Sequence, residues 1–209
     1  MELHVATSRA QKKPSLIEEV RRRQIVDTAI RTIASRGFAN TTLNDIAEEA
    51  GVSTGVITYH FRNKDDLIEE SIKKLFEAPN EYVIGRVNER ESYSDKLRTY
   101  IESTIRFMMD NRDHSVALIY SFSSISSQED RQRVIARHHA KIRKFLAKIL
   151  QSGQESGEFG RFDPALLAQV IFGGLEGLLT QWVLDPSAMD LERSSRELIA
   201  MVERHVAAN

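Results

Sequence analysis

The chain has 209 residues, 41% of them apolar and 28% charged, with only 4 prolines and 10 glycines, which supports one large domain or two smaller ones and excludes global disorder. The formal net charge is -1 and cysteine is absent, so disulfides, thiolate metal sites and cysteine nucleophiles are excluded, and any affinity for nucleic acid has to come from local charge. The first residues hold no continuous apolar run of the signal-peptide kind, and the most apolar stretch, around Ala165 to Trp182, is interrupted by Gln169, Glu176 and Gln181; a cytoplasmic protein that does not span a membrane is expected.

Residues 1–15 are polar and aperiodic and read as a flexible basic arm. Arg9, Lys12, Lys13, Arg21, Arg22 and Arg23 outnumber Glu18 and Glu19 in and just after it, a local field able to steer DNA, although a solvated charged tail has the same composition. From there Ile17, Val20, Ile25, Ala29 and Ile33 recur at helical spacing up to Gly37, predicting a scaffold helix with a left-handed glycine cap. Thr42, with Asp45 three positions on, opens a short helix whose inward residues are Leu43, Ile46, Ala47 and Ala50 and which Gly51 ends. A second short helix runs from about Thr54 to His60, and Asn63 caps a fourth along Leu67, Ile68, Ile72, Leu75 and Phe76. Pro79 predicts a bend or a stop, making Lys73–Arg90 the expected connector between two units.

The remainder reads as at least five more helices. Ser94 is the expected cap of one that carries Leu97 to Met108 and ends near Asn111; a shorter one carries Val116 to Phe122. A long helix follows from Gln128 through Val134 to Leu150, and QSGQESGEFG reads as a turn. Asp163-Pro164 opens the next helix with aspartate at the cap and proline at the first helical position. Ser187, with Asp190 at the third position, is the expected start of the last. No strand pair with turn chemistry appears. The expectation is an all-α fold of about nine helices: a three-helix DNA-binding unit with a helix-turn-helix over 16–76, and a helical dimerisation and ligand-sensing domain over 77–209.

The strongest signal is LNDIAEEAGVSTGVITYHFRNK, Leu43 to Lys64. Two short helices that cross steeply need a small residue at the crossing, which Ala47 supplies, and a turn tolerant of positive φ, which Gly51 supplies. The second short helix has about two turns, roughly 10 Å, a length that fits a major groove. Ser53, Thr54, Thr58 and the backbone near Gly55 suit base edges or phosphates; Tyr59 and His60 suit phosphates, and Phe61 belongs to the core. Lys64 and Thr42, each at a helix start, make phosphate seats.

The segment from Ile25 to Lys64 closely resembles the TetR family of bacterial transcriptional regulators. The resemblance rests on a Gly-Phe helix end, threonines opening the next helix, AxxAGVS, YHF, and a lysine before an acidic-leucine helix start. It implies a dimer on a palindromic operator, usually a repressor released by a ligand. Recognition-helix roles then fall on Thr54, Gly55, Val56, Thr58, Tyr59 and His60, with Lys64 at the DNA backbone and Thr42 and Asn44 on the preceding helix. The family often has an aromatic where Thr58 stands, which leaves open whether this position reads bases or phosphates. The resemblance is weak beyond about residue 75.

A two-turn reading helix alone makes too few contacts for tight specific binding, so two copies at fixed spacing are expected. The expected pairing surface is the last two helices, about 164–184 and 188–204, through Leu166, Val170, Leu198 and Val202. Gly173, Gly174 and Gly177 belong to it as well, because glycine inside a helix costs about 1 kcal/mol and implies a packing reason. A pocket for an apolar or amphipathic small molecule is expected from Phe107, Met108, Met109, Tyr120, Phe122, Phe172 and Trp182. His138 is its polar candidate, with His114, His139 and Arg137 as further ones; the same side chains also build ordinary cores. His138 and His139 cannot both face one side of a helix. No glycine-rich phosphate loop, GxSxG elbow or HExxH occurs, so no enzyme, metal site or cofactor is expected. A non-enzymatic dimeric interaction protein that retains the helix-turn-helix is the alternative.

Overall fold

A computed structural model describes residues 15–123 and 129–207, apart from the side chains of residues 122, 123, 129–132 and 134. The expected arm, except Ser15, lies outside the described residues, as do Gln128 and the side chains of Phe122 and Val134. The described residues form nine helices.

α1 (Leu16–Asn40) opens on a reciprocal cap in which Ser15 Oγ accepts from the Glu18 amide and the Glu18 carboxylate accepts from the Ser15 amide. Its buried stripe begins only at Ile25; Ile17 and Val20, expected to face inward, are 80% and 62% exposed. Helical spacing puts them on the correct side, but the first turns of α1 run past the helices that cover the rest of that side. Gly37 (φ 75°, ψ 163°) breaks the helix before a last turn that returns Phe38 to the core.

α2 (Leu43–Ala50) starts on the Thr42–Asp45 box and ends at Gly51, whose φ of 64° and ψ of 35° allow the tight turn into α3 (Thr54–His60). α4 (Lys64–Asn88) is capped by Asn63 and continues through Pro79. α5 (Tyr93–Asp110) is capped by Ser92 rather than Ser94: Ser92 Oγ accepts from the Asp95 amide at 3.0 Å, whereas the Ser94 amide donates to Glu158. Asp95 stands three residues after Ser92, the spacing that a cap of this kind uses.

α6 (Arg112–Ser123) and α7 (Glu129–Glu155) follow, α7 absorbing the first half of the expected turn. Gly153 sits inside α7 because the Phe159 ring lies against it: a Cβ there would stand 2.1 Å from the ring. α8 (Pro164–Leu184) starts on Asp163 as expected. α9 (Leu191–Val206) starts on Asp190, whose carboxylate accepts from the Arg193 amide at 2.9 Å, while Ser187 is occupied in a turn with Asp185.

Two cores meet along α4. Ile25, Ile33, Ile46, Ile57, Leu75 and Phe76 belong to the first, and Val83, Val87, Leu97, Leu146 and Ile171 to the second. The change-over falls between Phe76 and Val83, inside one continuous helix, with Pro79 between them. Pro79 has no N–H to offer the Leu75 carbonyl one helical step back. His114 of α6 takes that place, with Nε2 2.8 Å from the Leu75 oxygen; since a carbonyl only accepts, Nε2 carries the proton. α6 also packs directly on α1, so it ties α1 to α4.

Candidate functional site

α3 is anchored from beneath by Ile57 and Phe61, both fully buried in the core that also holds Ile46 and Ala47. With those two fixed, the helix presents Gly55, Thr58 and Tyr59 to solvent, preceded by exposed Ser53, while Thr54, Val56 and His60 are half-buried at its margins. Val56 packs partly on the core. Thr42 and Asn44 are exposed at the start of α2, and Lys64 is half-buried at the start of α4.

Hydrogen bonds join several of these residues. The Thr54 hydroxyl donates to Asn44 Oδ1 at 2.9 Å, tying the first turns of α3 and α2, and the Thr58 hydroxyl turns back to the Gly55 carbonyl at 3.1 Å. Lys64 Nζ reaches the Phe38 carbonyl at 3.4 Å and retains donors for a second acceptor. Tyr59 is 72% exposed, and its hydroxyl donates to Glu18 at 2.8 Å. The Ser15 amide first, and then the Tyr59 hydroxyl, hold the Glu18 carboxyl below its ordinary range, while the same Glu18 pushes the Tyr59 phenol up. A phosphate approaching Tyr59 has to take that hydroxyl from Glu18. A Cβ on Gly55 would meet nothing nearer than Ser53 Oγ at 3.6 Å, so the protein's own packing does not demand glycine there.

Arg22 has a role that its place in the basic run does not announce. Its guanidinium donates to the His60 carbonyl at 2.6 Å, pairs with Glu70 at 3.0 Å and lies 4.3 Å over the Phe61 ring. It therefore fills an open carbonyl at the end of α3 and fixes that helix between α1 and α4. His60 is 38 residues away in sequence, and no local pattern signals the pairing.

A cavity of about 90 Å³ lies where α4, α5, α7 and α8 converge, with Leu118 of α6 at its edge. Of the expected pocket residues, Met108 and Phe172 line it, and it is His139 rather than His138 that does so. His138 instead stacks on Phe76 at 4.9 Å. Phe107 is buried edge-on to Tyr82 and His114, Met109 borders a separate groove with Arg106 and Arg196, Tyr120 is exposed, and Trp182 packs half-buried on the second core. Leu75, Phe76 and Pro79 form the wall that α4 contributes, and sequence reasoning did not assign Tyr100, Thr104 or Glu176 to a pocket.

The polar groups of the cavity are electrostatically unsettled. Burial pushes the Glu176 carboxyl up, against the opposing pull of Arg143, and burial pushes the Tyr100 phenol up. Burial, then Arg143 and His138, push His139 down. His139 Nε2 stands 3.5 Å from the Glu176 carboxylate, but the depressed imidazole is neutral near neutral pH, so this is a polar contact rather than an ion pair. Among the described residues, no group of three or more His, Asp or Glu side chains could hold a metal ion.

α8 and α9 share an apolar outer face. Leu166, Val170 and Met201 are 61%, 68% and 60% exposed, with half-buried Leu198 and buried Val202 between them. Among the described residues, a Cβ on Gly173 or Gly177 would meet no atom within 4 Å, and one on Gly174 only Leu198 at 3.6 Å, so no close helix approach among them explains these glycines. α8 is long and apolar enough to cross a membrane by length and composition alone, yet only 22% of its most apolar stretch is buried within the protomer.

Comparison with known proteins covers both halves. Residues 25–71 match the bacterial regulatory proteins of the tetR family, and residues 90–206 match the tetracyclin repressor-like C-terminal domain. The HTH-type transcriptional regulator TtgR of Pseudomonas putida is 31% identical over 180 residues, 81% of this chain and 83% of that protein. The crystal structure of the transcriptional regulator FadR from Bacillus subtilis in complex with stearoyl-CoA superposes with a TM-score of 0.75 at 25% identity, over 86% of this chain and 96% of that one. A putative transcriptional regulator from Saccharomonospora viridis, in complex with choline, shares the fold with a TM-score of 0.82 at 21% identity, over 91% and 100% of the two chains.

Proposed function

The chain belongs to the TetR family and is thus a DNA-binding transcriptional regulator, and from that premise we propose that it is a cytoplasmic homodimeric repressor, released from a palindromic operator by a small apolar or amphipathic ligand. The observation that carries this reading is the sharing of α4: Leu75 and Phe76 belong to the core beneath α3 and also form a wall of the cavity. A molecule that fills the cavity presses on the helix that positions the reading head.

In this reading Thr54, Gly55 and Thr58 meet base edges or the adjacent phosphates. Thr42, Asn44, Ser53, Tyr59, His60 and Lys64 set the register on the DNA backbone. The outer face of α8 and α9 is covered by the same face of a second copy, which accounts for the exposed Leu166 and Val170 and gives the glycines a close neighbour. The bound stearoyl-CoA of the Bacillus subtilis protein supports an amphipathic effector with a substantial apolar part here.

The test is selection of bound fragments from the source genome at about 0.15 M salt, a concentration at which weak phosphate contacts alone are strongly screened. A palindrome with half-sites spaced by whole helical turns is expected, together with its release by compounds that bind the protein. Uniform retention of all fragments would overturn the reading and favour an interaction protein instead.

A further inference from the structure

We propose that the cavity takes an apolar organic cation, with the Glu176 carboxylate as its counter-charge and the Phe76 and Phe172 rings as its walls. The assignment rests on the reading of this cavity as the effector site. It deepens that reading by fixing the charge of the ligand.

Four observations lead to it. The lining is almost wholly apolar, so an occupant must be mostly apolar too. The lining includes a carboxylate but no lysine or arginine, so an anionic headgroup would meet Glu176 with no lining cation to receive it. Arg143 lies near, with its guanidinium 5.8 Å from the Phe172 ring, but it is not among the residues that line the space. Finally, the neighbourhood of Glu176 is aromatic: His139 beside it stands edge-on to Phe172 at 5.0 Å and to Phe76 at 5.8 Å. Aromatic rings that line the same space as a carboxylate suit a positive charge, because ring and carboxylate both attract it, and their attraction is stronger away from water.

The state of Glu176 agrees. A half-buried carboxylate that burial pushes up has lost hydration that its protein neighbours do not fully replace. His139, neutral and 3.5 Å away, offers it a long polar contact but no counter-charge. An ammonium group in the cavity would supply a counter-charge, and Asn80 and Thr104, also in the lining, offer polar atoms to a second substituent. The size of the space, about 90 Å³, suits a compact ring or branched alkyl group with one charged substituent.

The experiment uses the full chain and three compounds of nearly one shape that differ in charge: cyclohexylmethylammonium, cyclohexylmethanol and cyclohexanecarboxylate. Isothermal titration calorimetry near neutral pH is expected to rank them in that order, with the cation at least about tenfold tighter than the alcohol, the gain of one buried charge-assisted contact. Glu176→Gln is expected to erase the advantage of the cation over the alcohol; a melting curve checks that the variant is folded. Equal binding of the three by the wild type, preference for the carboxylate, binding of none, or a cation preference that survives Glu176→Gln overturns the proposal. Binding of the selected palindrome without ligand is measured in parallel. A protein that holds the palindrome but ignores the cation loses this assignment alone, whereas one that binds the cation and no palindrome loses the repressor reading and keeps the cavity assignment.

Discussion

Gly55→Ala separates the demands of folding from those of DNA. Within the protein the new methyl is harmless: its nearest neighbour is Ser53 Oγ at 3.6 Å, and Gly55 is not among the glycines with positive φ. Alanine is better than glycine inside a helix by up to about 1 kcal/mol, and at the second position of the seven-residue α3 roughly half of that is a fair expectation. The melting temperature of the variant should therefore hold or rise slightly. On DNA the sign reverses. If the exposed side of α3 lies against the groove with its backbone in close approach, a methyl group has no space, and overpacking of this kind costs about 1–3 kcal/mol per site. At the low end each head loses about fivefold, and two heads on one palindrome lose about thirtyfold. Fluorescence anisotropy with the selected operator measures this directly, alongside thermal denaturation. The salt dependence should stay unchanged, because no charge is removed. A variant that is at least as stable and binds its operator as tightly as the wild type would show that α3 does not approach DNA through Gly55.

Other consequences follow from the same geometry. Lys64→Ala is expected to weaken binding to all sequences alike and to lower the salt slope by about one, whereas Thr54→Ala should alter preference among operator variants; competition assays over a panel of sites would expose equal, sequence-independent losses, which contradict this division of roles. Val170→Glu should cost the protomer little, since the side chain is 68% exposed, yet shift a dimer towards monomer by about a hundredfold or more in sedimentation analysis, and an unchanged dimer would move the pairing surface elsewhere. Burial holds the His114 imidazole below its ordinary value, so on acidification the unfolded chain takes up this proton first. The stability His114 contributes is then complete above about pH 6.5 and drains as the pH falls towards its folded value, by about 1.4 kcal/mol per pH unit in that window. His138 and His139 shift in the same direction, and Glu176, pushed up, in the opposite one. His114→Gln keeps a donor for the Leu75 carbonyl but cannot titrate, and its melting temperature should fall less between about pH 7.5 and 5.5 than that of the wild type. An identical fall in the two proteins would remove His114 from the account.

What was legible in the sequence is what depends on near neighbours in the chain. Thr42 with Asp45, Asn63 and Asp163 with Pro164 each set a helix start through contacts within three residues, and all three stand as expected. Where two caps competed, as Ser92 with Ser94 and Asp190 with Ser187, the choice depended on where the rest of the helix found its packing. Ile17 and Val20 show the limit of periodicity: it names the side of a helix but not whether anything lies across from it. The exposed side of α3 was readable for a related reason. On a helix as short as α3, burying Ile57 and Phe61 leaves little choice about what faces out. The cavity was less legible, because a wall and a core use the same side chains. Phe107 and Trp182 went into packing while Phe172 and Met108 border a space, and a space is defined by what fails to fill it. Arg22 was legible only as part of a basic run and His114 only as a polar pocket candidate, since their actual partners, the His60 and Leu75 carbonyls, are 38 and 39 residues away.

In the proposed reading, these two long-range contacts are the route by which an occupant of the cavity would act on the reading head. Each uses a side chain to satisfy a backbone carbonyl, Arg22 at the end of α3 and His114 where Pro79 leaves α4 short of a donor. A repair of that kind fixes position more tightly than apolar packing, because a buried carbonyl deprived of its partner costs about 1–3 kcal/mol. The Leu75 carbonyl is the sensitive one of the pair, since Leu75 and Pro79 both border the cavity and the donor sits on α6, which packs against α1. An occupant that displaces α4 by even a fraction of an ångström must either carry α6 along, and α1 with it, or stretch this bond. For release from DNA the ligand has to bind the displaced arrangement more tightly than the operator-bound one, and the difference between those two affinities is all the energy available to move the heads. A tenfold difference supplies about 1.4 kcal/mol per protomer, comparable to the cost of the one hydrogen bond that stands in the way.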